Sequence, residues 1–237
     1  MANLQSTART ADARTQVQVN SFIRSVYNWM GIGLGLTGLI AYFVGNSPSM
    51  VQMIYSNTLL FFGLIAAELG MVFYLSARVQ KIQASTATAL FVIYSALNGV
   101  TLSFIFIAYT PASITSTLFV CAATFAACSV FGFVTKRDLT SLGSFMFMGL
   151  IGIIVASLIN IFIQSSAMTT IISYIGVLVF VGLTAYDTQK LKNMAMTQPA
   201  GLEAGVIRKG AIMGALSLYL DFINLFLMLL YIMGGRE

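Results

Sequence analysis

GALSLYLDFINLFLMLLYIM, residues 214 to 233, is twenty residues long, apolar at nearly every position, and carries a single acid, Asp221. A hydrocarbon core of about 30 Å is crossed by roughly 20 apolar residues in a helix, so this stretch reads as a membrane span. GVLVFVGLTAYDTQKLKN, residues 176 to 193, reads the same way and carries Asp187 in its second half. A carboxylate at membrane depth costs a few kcal/mol at least, and it normally faces a cavity, a partner or an ion path. The pair Asp187 and Asp221 is therefore where function is sought.

Working outward, 58% apolar and 8% charged residues over 237 positions put the whole chain in the same class, and so does a mean hydropathy of +0.90. Such values far exceed what a soluble domain needs. Apolar segments near 23 to 44, 57 to 77, 85 to 109, 114 to 134, 141 to 163, 168 to 189 and 211 to 233 predict seven helices. The expected fold is an all-α integral membrane protein, a seven-helix bundle over 23 to 233. A polar segment, 1 to 22, precedes it and a short tail, 234 to 237, follows. The polar start lacks the apolar run and small-residue cleavage site of a signal peptide, so no removal is expected.

Loop charge predicts orientation. The connections after the first, third and fifth segments (NSPSMVQMIYS, TPAS, QSSA) carry no charge, whereas the others hold Arg78, Lys81, Lys136, Arg137, Lys190, Lys192, Arg208 and Lys209. Arg9, Arg14 and Arg24 join that set and only Arg236 opposes it. Basic loops stay cytoplasmic, which puts the N-terminus inside and the C-terminus outside. The pI of 9.3 then reflects orientation and contact with the headgroups of the lipid bilayer, and nucleic acid is not an expected partner.

Several motifs have a plain reading. Gly31, Gly33, Gly35 and Gly38 resemble a dinucleotide fingerprint, but with no preceding strand they read as close helix packing. Cys121 and Cys128, about 10 Å apart along one helix, are beyond disulfide reach and read as small packing residues. Asn98 and Asn160 read as interhelical hydrogen-bonding amides, with path lining as the alternative. Trp29 and Tyr27 read as interfacial anchors. Asp138 and Glu203 read as solvated countercharges in basic loops, and Asp12 and Glu237 are terminal.

The chain has no histidine, which removes imidazole triads, imidazole metal sites and imidazole pH switches together. Proton sensitivity must come from carboxylates, and the remaining acid in a span is Glu68. Gly210, Gly214, Ser217, Asp221 and Asn224 recur at steps of four and three, one stripe of a helix. Ser173, Gly176, Thr184 and Asp187 fall roughly on one face of the sixth. The two stripes predict a seam, with Asp221 roughly 15 Å into the membrane. Two carboxylates meeting there would share a proton and titrate as a pair, a switch near physiological pH. The alternative is structural: each Asp pairs with a base such as Lys190, Arg78 or Lys81.

The runs FVGLTAYDTQKLKN (180 to 193), LSLYLDFINLFLMLL (216 to 230) and FVTKRDLTSLGSFMFMGLIGIIVASLINIF (133 to 162) resemble the BAX inhibitor-1, or transmembrane BAX inhibitor motif, family, and most of all its bacterial inner-membrane members. The resemblance spans Phe22 to Met233. It implies a bundle with the last helix near the centre and a pH-sensitive calcium leak governed by an aspartate pair, matched here by Asp187 and Asp221. It also implies a basic latch and a path-lining Glu on the second helix, for which Arg78 and Glu68 are the matches. Calcium is then the expected transported or transiently bound ion and protons the gating partner, with no tightly bound cofactor. Two carboxylates, with Ser217 and Asn224 as further lining, leave water to complete a shell of about six to eight oxygens, which suits passage more than storage.

Two other classes compete. Intramembrane aspartyl proteases also carry two Asp residues, one after a Tyr as in Tyr186-Asp187. They have Gly-x-Gly before the second, where this chain has Tyr219-Leu220, and their Pro-Ala-Leu is not matched by Gln198-Pro199-Ala200-Gly201. The expectation is a non-enzyme. The other class is a membrane scaffold that binds another membrane protein, such as a protease complex.

Overall fold

The computed structural model describes residues 2–199 and 201–235, with side chains from residue 17 onward. Arg9, Asp12, Arg14, Ala200, Arg236 and Glu237 lie outside the described side chains. Among the described residues the secondary structure is helical: α1 (Ala2–Gly45), α2 (Pro48–Ser56), α3 (Thr58–Arg78), α4 (Ala84–Leu102), α5 (Ile105–Ala108), α6 (Pro111–Val134), α7 (Thr140–Ile163), α8 (Ser166–Thr197) and α9 (Ala204–Met233). Among the described residues seven stretches are long and apolar enough to cross a membrane, with α4 and α5 forming the third.

The helices outrun the apolar windows. α1 begins at Ala2 and continues through residue 22 without a break, while α8 extends to Thr197 and α9 begins at Ala204. Polar residues continue a helix once it leaves the hydrocarbon, since the backbone bonds are internal to the helix and indifferent to the medium. The first uncharged loop contains α2, which buries Ile54 and leaves Met50 and Met53 exposed. The third span is interrupted at Ser103 and Phe104. Exposed backbone is costly at that depth, and the Tyr55 hydroxyl donates to the Thr101 carbonyl oxygen at 3.0 Å.

α9 is the central helix. It packs against α8, α1, α6 and α4, while α3 packs on α4 and α2, and α7 packs on α8. Its Tyr219, Leu218 and Leu225 are completely buried. Lipid tails are as apolar as leucine, so close packing and hydrogen bonds must hold such a bundle. Of the four glycines from Gly31 to Gly38, only Gly33 serves that purpose: a Cβ there would come within 2.7 Å of the Phe91 ring, whereas Gly31, Gly35 and Gly38 have no neighbour within 4 Å. A helix of 3.6 residues per turn cannot aim all four at one neighbour, which corrects the packing expectation for those three.

The polar loop residues also take structural posts. Asp138 is exposed, as expected of a countercharge, but its Oδ1 accepts from the Thr140 hydroxyl at 2.6 Å and the Thr140 N–H at 2.9 Å, at the start of α7. Those two bonds hold its carboxyl below the ordinary aspartate range. Cys121 and Cys128 are free thiols, and Cys121 is buried and donates to the Phe222 carbonyl oxygen at 3.7 Å. Asn160 bridges α7 to α8 by donating to the Thr169 hydroxyl at 2.7 Å. The Asn98 amide donates to Tyr94 on its own helix at 3.4 Å and also reaches Glu68 of α3, while its Oδ1 has no partner among the described residues.

Candidate functional site

The stripe on α9 is a physical surface. Gly210, Gly214 and Ser217 line one cavity of about 350 Å³. Ser217, Asp221 and Asn224 line a second, of about 660 Å³. The first lies at the basic end of the bundle, bordered by Val79, Gln80, Gln198 and Lys209. The second runs deeper between α7, α8 and α9, with apolar walls that include Phe147, Leu150 and Leu183. Asp187, Lys190 and Ser217 line both. Asp187 therefore stands at the junction between an outer and an inner space.

The two aspartates share the inner cavity. Asp221 is 5% exposed, and its Oδ2 has no hydrogen-bond partner among the described residues. Asp187 is half-buried and near enough for its charge to act on Asp221. An ionised carboxylate so placed loses hydration without a protein donor in exchange, which is costly. The site is thus built to attract a cation or a proton.

Of the three bases that would serve a purely structural pairing, only Lys190 lines the cavity. It lies one helical turn from Asp187, and its ammonium is 5.9 Å from the centre of the Tyr186 ring. Arg78 is exposed at the end of α3 and lines neither cavity, although Val79 and Gln80 beside it line the outer one. Lys81 is likewise exposed. Glu68 is not brought to the aspartates: its Oε1 accepts from the Thr101 hydroxyl at 2.7 Å across the α3–α4 contact. Ser217 and Asn224, by contrast, are brought to the pair. The Asn224 amide nitrogen donates to the Leu220 carbonyl oxygen at 2.8 Å, which leaves its own carbonyl oxygen for the cavity.

On α8 the expected polar stripe is only partly a stripe. The hydroxyls of Ser173 and Thr184 turn back onto Thr169 and Phe180 carbonyl oxygens of their own helix, and Gly176 meets Met228 of α9. Asp187 alone of the four lines the aspartate cavities, and Ser173 lines a different one beside Asn160. Its helix is anchored just beyond it. Gln189 donates to the Arg137 carbonyl oxygen at 2.7 Å and accepts from the Leu139 N–H at 2.8 Å. Lys192 donates to the Phe133 carbonyl oxygen at 2.6 Å. On the other side, Thr188 meets the Tyr27 hydroxyl at 3.2 Å, so Tyr27 joins helices in addition to any anchoring role.

Two features escaped sequence reasoning. Gly143 of α7 lies against the face of the Tyr186 ring, where any Cβ would overlap the ring. That contact sets where Tyr186, and hence the neighbouring Asp187, can stand. The Arg208 guanidinium is 5.5 Å from the centre of the Trp29 ring. Neither pairing is visible in one chain, because the partners are far apart in sequence and carry no motif.

Comparison with known proteins agrees with this architecture. The family model described as inhibitor of apoptosis-promoting Bax1 matches residues 19–237. Inner membrane protein YbhL of Escherichia coli K12 is 51% identical over 219 residues, covering 92% of this chain and 93% of that protein. A protein of Deinococcus radiodurans is 43% identical over 235 residues, 99% of each chain. One of Rickettsia prowazekii is 42% identical over 218 residues, covering 91% of this chain and 90% of the relative. The chain belongs to the BAX inhibitor family.

Proposed function

We propose that this family member is a pH-sensitive calcium leak of the bacterial inner membrane, with Asp187 and Asp221 as ion path and proton sensor. The observation that carries the reading is the inner cavity, where both carboxylates face one space and one carboxylate oxygen is buried without a partner among the described residues. The inner-membrane location rests on the name of the E. coli relative. The basic end is assigned to the cytoplasm because Lys and Arg are retained there.

Calcium entering from the outer cavity would meet Asp187 first and Asp221 next. The two carboxylates, the Ser217 hydroxyl and the Asn224 carbonyl oxygen give fewer oxygens than the six to eight that Ca²⁺ takes in a tight site. Water completes the shell, so the ion leaves as readily as it enters. A proton shared by the pair removes charge from the path and competes with the ion. Lys190, already in the cavity wall, is the base placed to compensate the pair when calcium is absent. A latch by Arg78 requires the end of α3 to swing toward the outer cavity, and Glu68 would act only on a path that reaches α3.

The test is reconstitution of the purified protein in liposomes with an enclosed calcium dye, scanned over pH. Wild-type protein should pass calcium with a pH-dependent rate, and Asp187→Asn or Asp221→Asn should flatten that dependence. Flux that keeps its full pH dependence in both variants would remove the sensor assignment. No flux from wild-type protein alone, together with co-purification of a membrane partner, would favour a scaffold.

A further inference from the structure

A third cavity, of about 790 Å³, opens at the basic end between the middle turns of α1 from Val17 to Trp29, the α8–α9 connection and the start of α9. It adjoins the outer aspartate cavity across Gln198 and Leu202 but neither aspartate lines it, and the leak reading gives it no role. Its wall includes Arg208, Trp29, Gln18, Ser21, Ser25 and Phe22. We infer that it binds the phosphate group of an anionic phospholipid, gripped by Arg208.

The guanidinium is held in advance of any ligand. Its Nε donates to the Thr88 hydroxyl at 3.1 Å, and its Cζ lies over the Trp29 ring, 5.5 Å from the ring centre. With one of five N–H donors used, four remain, in the planar fork that suits two oxygens of a phosphate. No carboxylate pairs with it among the described residues, and Glu203 does not line the cavity. Stacking on an aromatic face and a fixed fork are what distinguish arginine from lysine at phosphate sites.

The surroundings complete the match. Gln18, Ser21 and Ser25 recur along one face of α1 and offer an amide and two hydroxyls to phosphate or glycerol oxygens, while Val17, Phe22, Leu202 and Ile207 supply apolar wall for the first carbons of a lipid. The volume suits a headgroup-sized ligand. A choline or ethanolamine group would find no acid among the described lining residues to receive its charge. The site should therefore favour phosphatidylglycerol over phosphatidylcholine, although both carry a phosphate. Basic pockets between spans on the cytoplasmic side are suited to anionic headgroups.

Trp29 is the only tryptophan of the chain, so its fluorescence reports this cavity alone. The experiment titrates phosphatidylglycerol, phosphatidylcholine or inorganic phosphate into the detergent-solubilised full chain. Phosphatidylglycerol should give a saturable change at a concentration at least about fivefold lower than phosphatidylcholine. Arg208→Ala should raise the half-saturation about tenfold, and Arg208→Lys several-fold although it keeps the charge. Arg137→Ala, at the same end but away from the cavity, should leave it unchanged. Thr88→Val retains the charge and frees the guanidinium, and it should weaken binding in a folded protein even if Arg208→Ala does not fold. Equal half-saturation for the two lipids, or an Arg208→Lys variant identical to wild type, would show general charge attraction and overturn the proposal. Phosphate at millimolar concentration that abolishes the lipid response would assign the cavity to a soluble phosphate compound and overturn the lipid as occupant.

Discussion

Tyr219 of α9 donates its hydroxyl to Thr37 of α1 across 2.7 Å, in a place where Tyr219 has no exposed surface at all. The direction follows from counting protons. Thr37 has one hydroxyl hydrogen and is already within reach of two carbonyl oxygens, Gly33 at 2.9 Å and Ser95 at 2.8 Å, which can only accept. Tyr219→Phe leaves the Thr37 oxygen short of a donor and should destabilise the bundle by about 1–2 kcal/mol. Thermal melting in detergent reads this, and an unchanged melting temperature would deny the bond any weight.

Gly143 should be intolerant of any side chain. Gly143→Ala places a methyl group in the Tyr186 ring, so α7 and α8 must part or the ring must turn. Overpacking of this kind costs about 1–3 kcal/mol. The double variant Gly143→Ala, Tyr186→Leu should recover part of the loss, because it removes the ring. No recovery would mean that the clash lies elsewhere.

Asp221→Asn should separate stability from activity. The amide keeps the shape but removes a buried ionisable group whose oxygen has no donor, so the variant should melt no lower than wild type while calcium flux falls. Intramembrane acids held at a cost to stability are the expected mark of a working site. A variant that melts much lower would instead mark Asp221 as a structural strut.

Topology is checked by labelling single cysteines in intact cells with an impermeant reagent. Gly235→Cys should label from outside and Gln198→Cys should not, as the distribution of basic residues requires. Labelling of Gln198→Cys from outside would reverse the orientation.

The span count and the aspartate pair were legible because both depend on local signals: runs of about 20 apolar residues, and a charge where none is expected. The stripe from Gly210 to Asn224 was legible for the same reason, since helical periodicity is a local property. The placement of Arg78 and Glu68 was not, because it depends on which helix α3 packs against, and hydrophobicity is silent on that. All α3 requires of its neighbours is small residues and a few hydrogen bonds, and α4 supplies Thr101. The break at Ser103 was hidden for a similar reason: no Pro or Gly marks it, and the residue that makes it tolerable, Tyr55, is in another element.

The bonds from Gln189 and Lys192 make the basic end of α8 a fixed post. Turning that helix about its axis would break both amide bonds of Gln189 and the Lys192 bond at once, and each is worth about 0.5–3 kcal/mol depending on charge. Two of these three bonds hold α8 to Arg137 and Leu139 at the start of α7, so α7 shares the post, whereas α3, which packs on α4 and α2, carries no such triple tether. Any movement that widens the space around Asp187 is cheapest if the end of α3, whose neighbours Val79 and Gln80 line the outer cavity, leans away while α7, α8 and α9 stand still. The carboxylates would then keep their mutual geometry in the closed and the open bundle alike, and the moving part would be the wall that faces them.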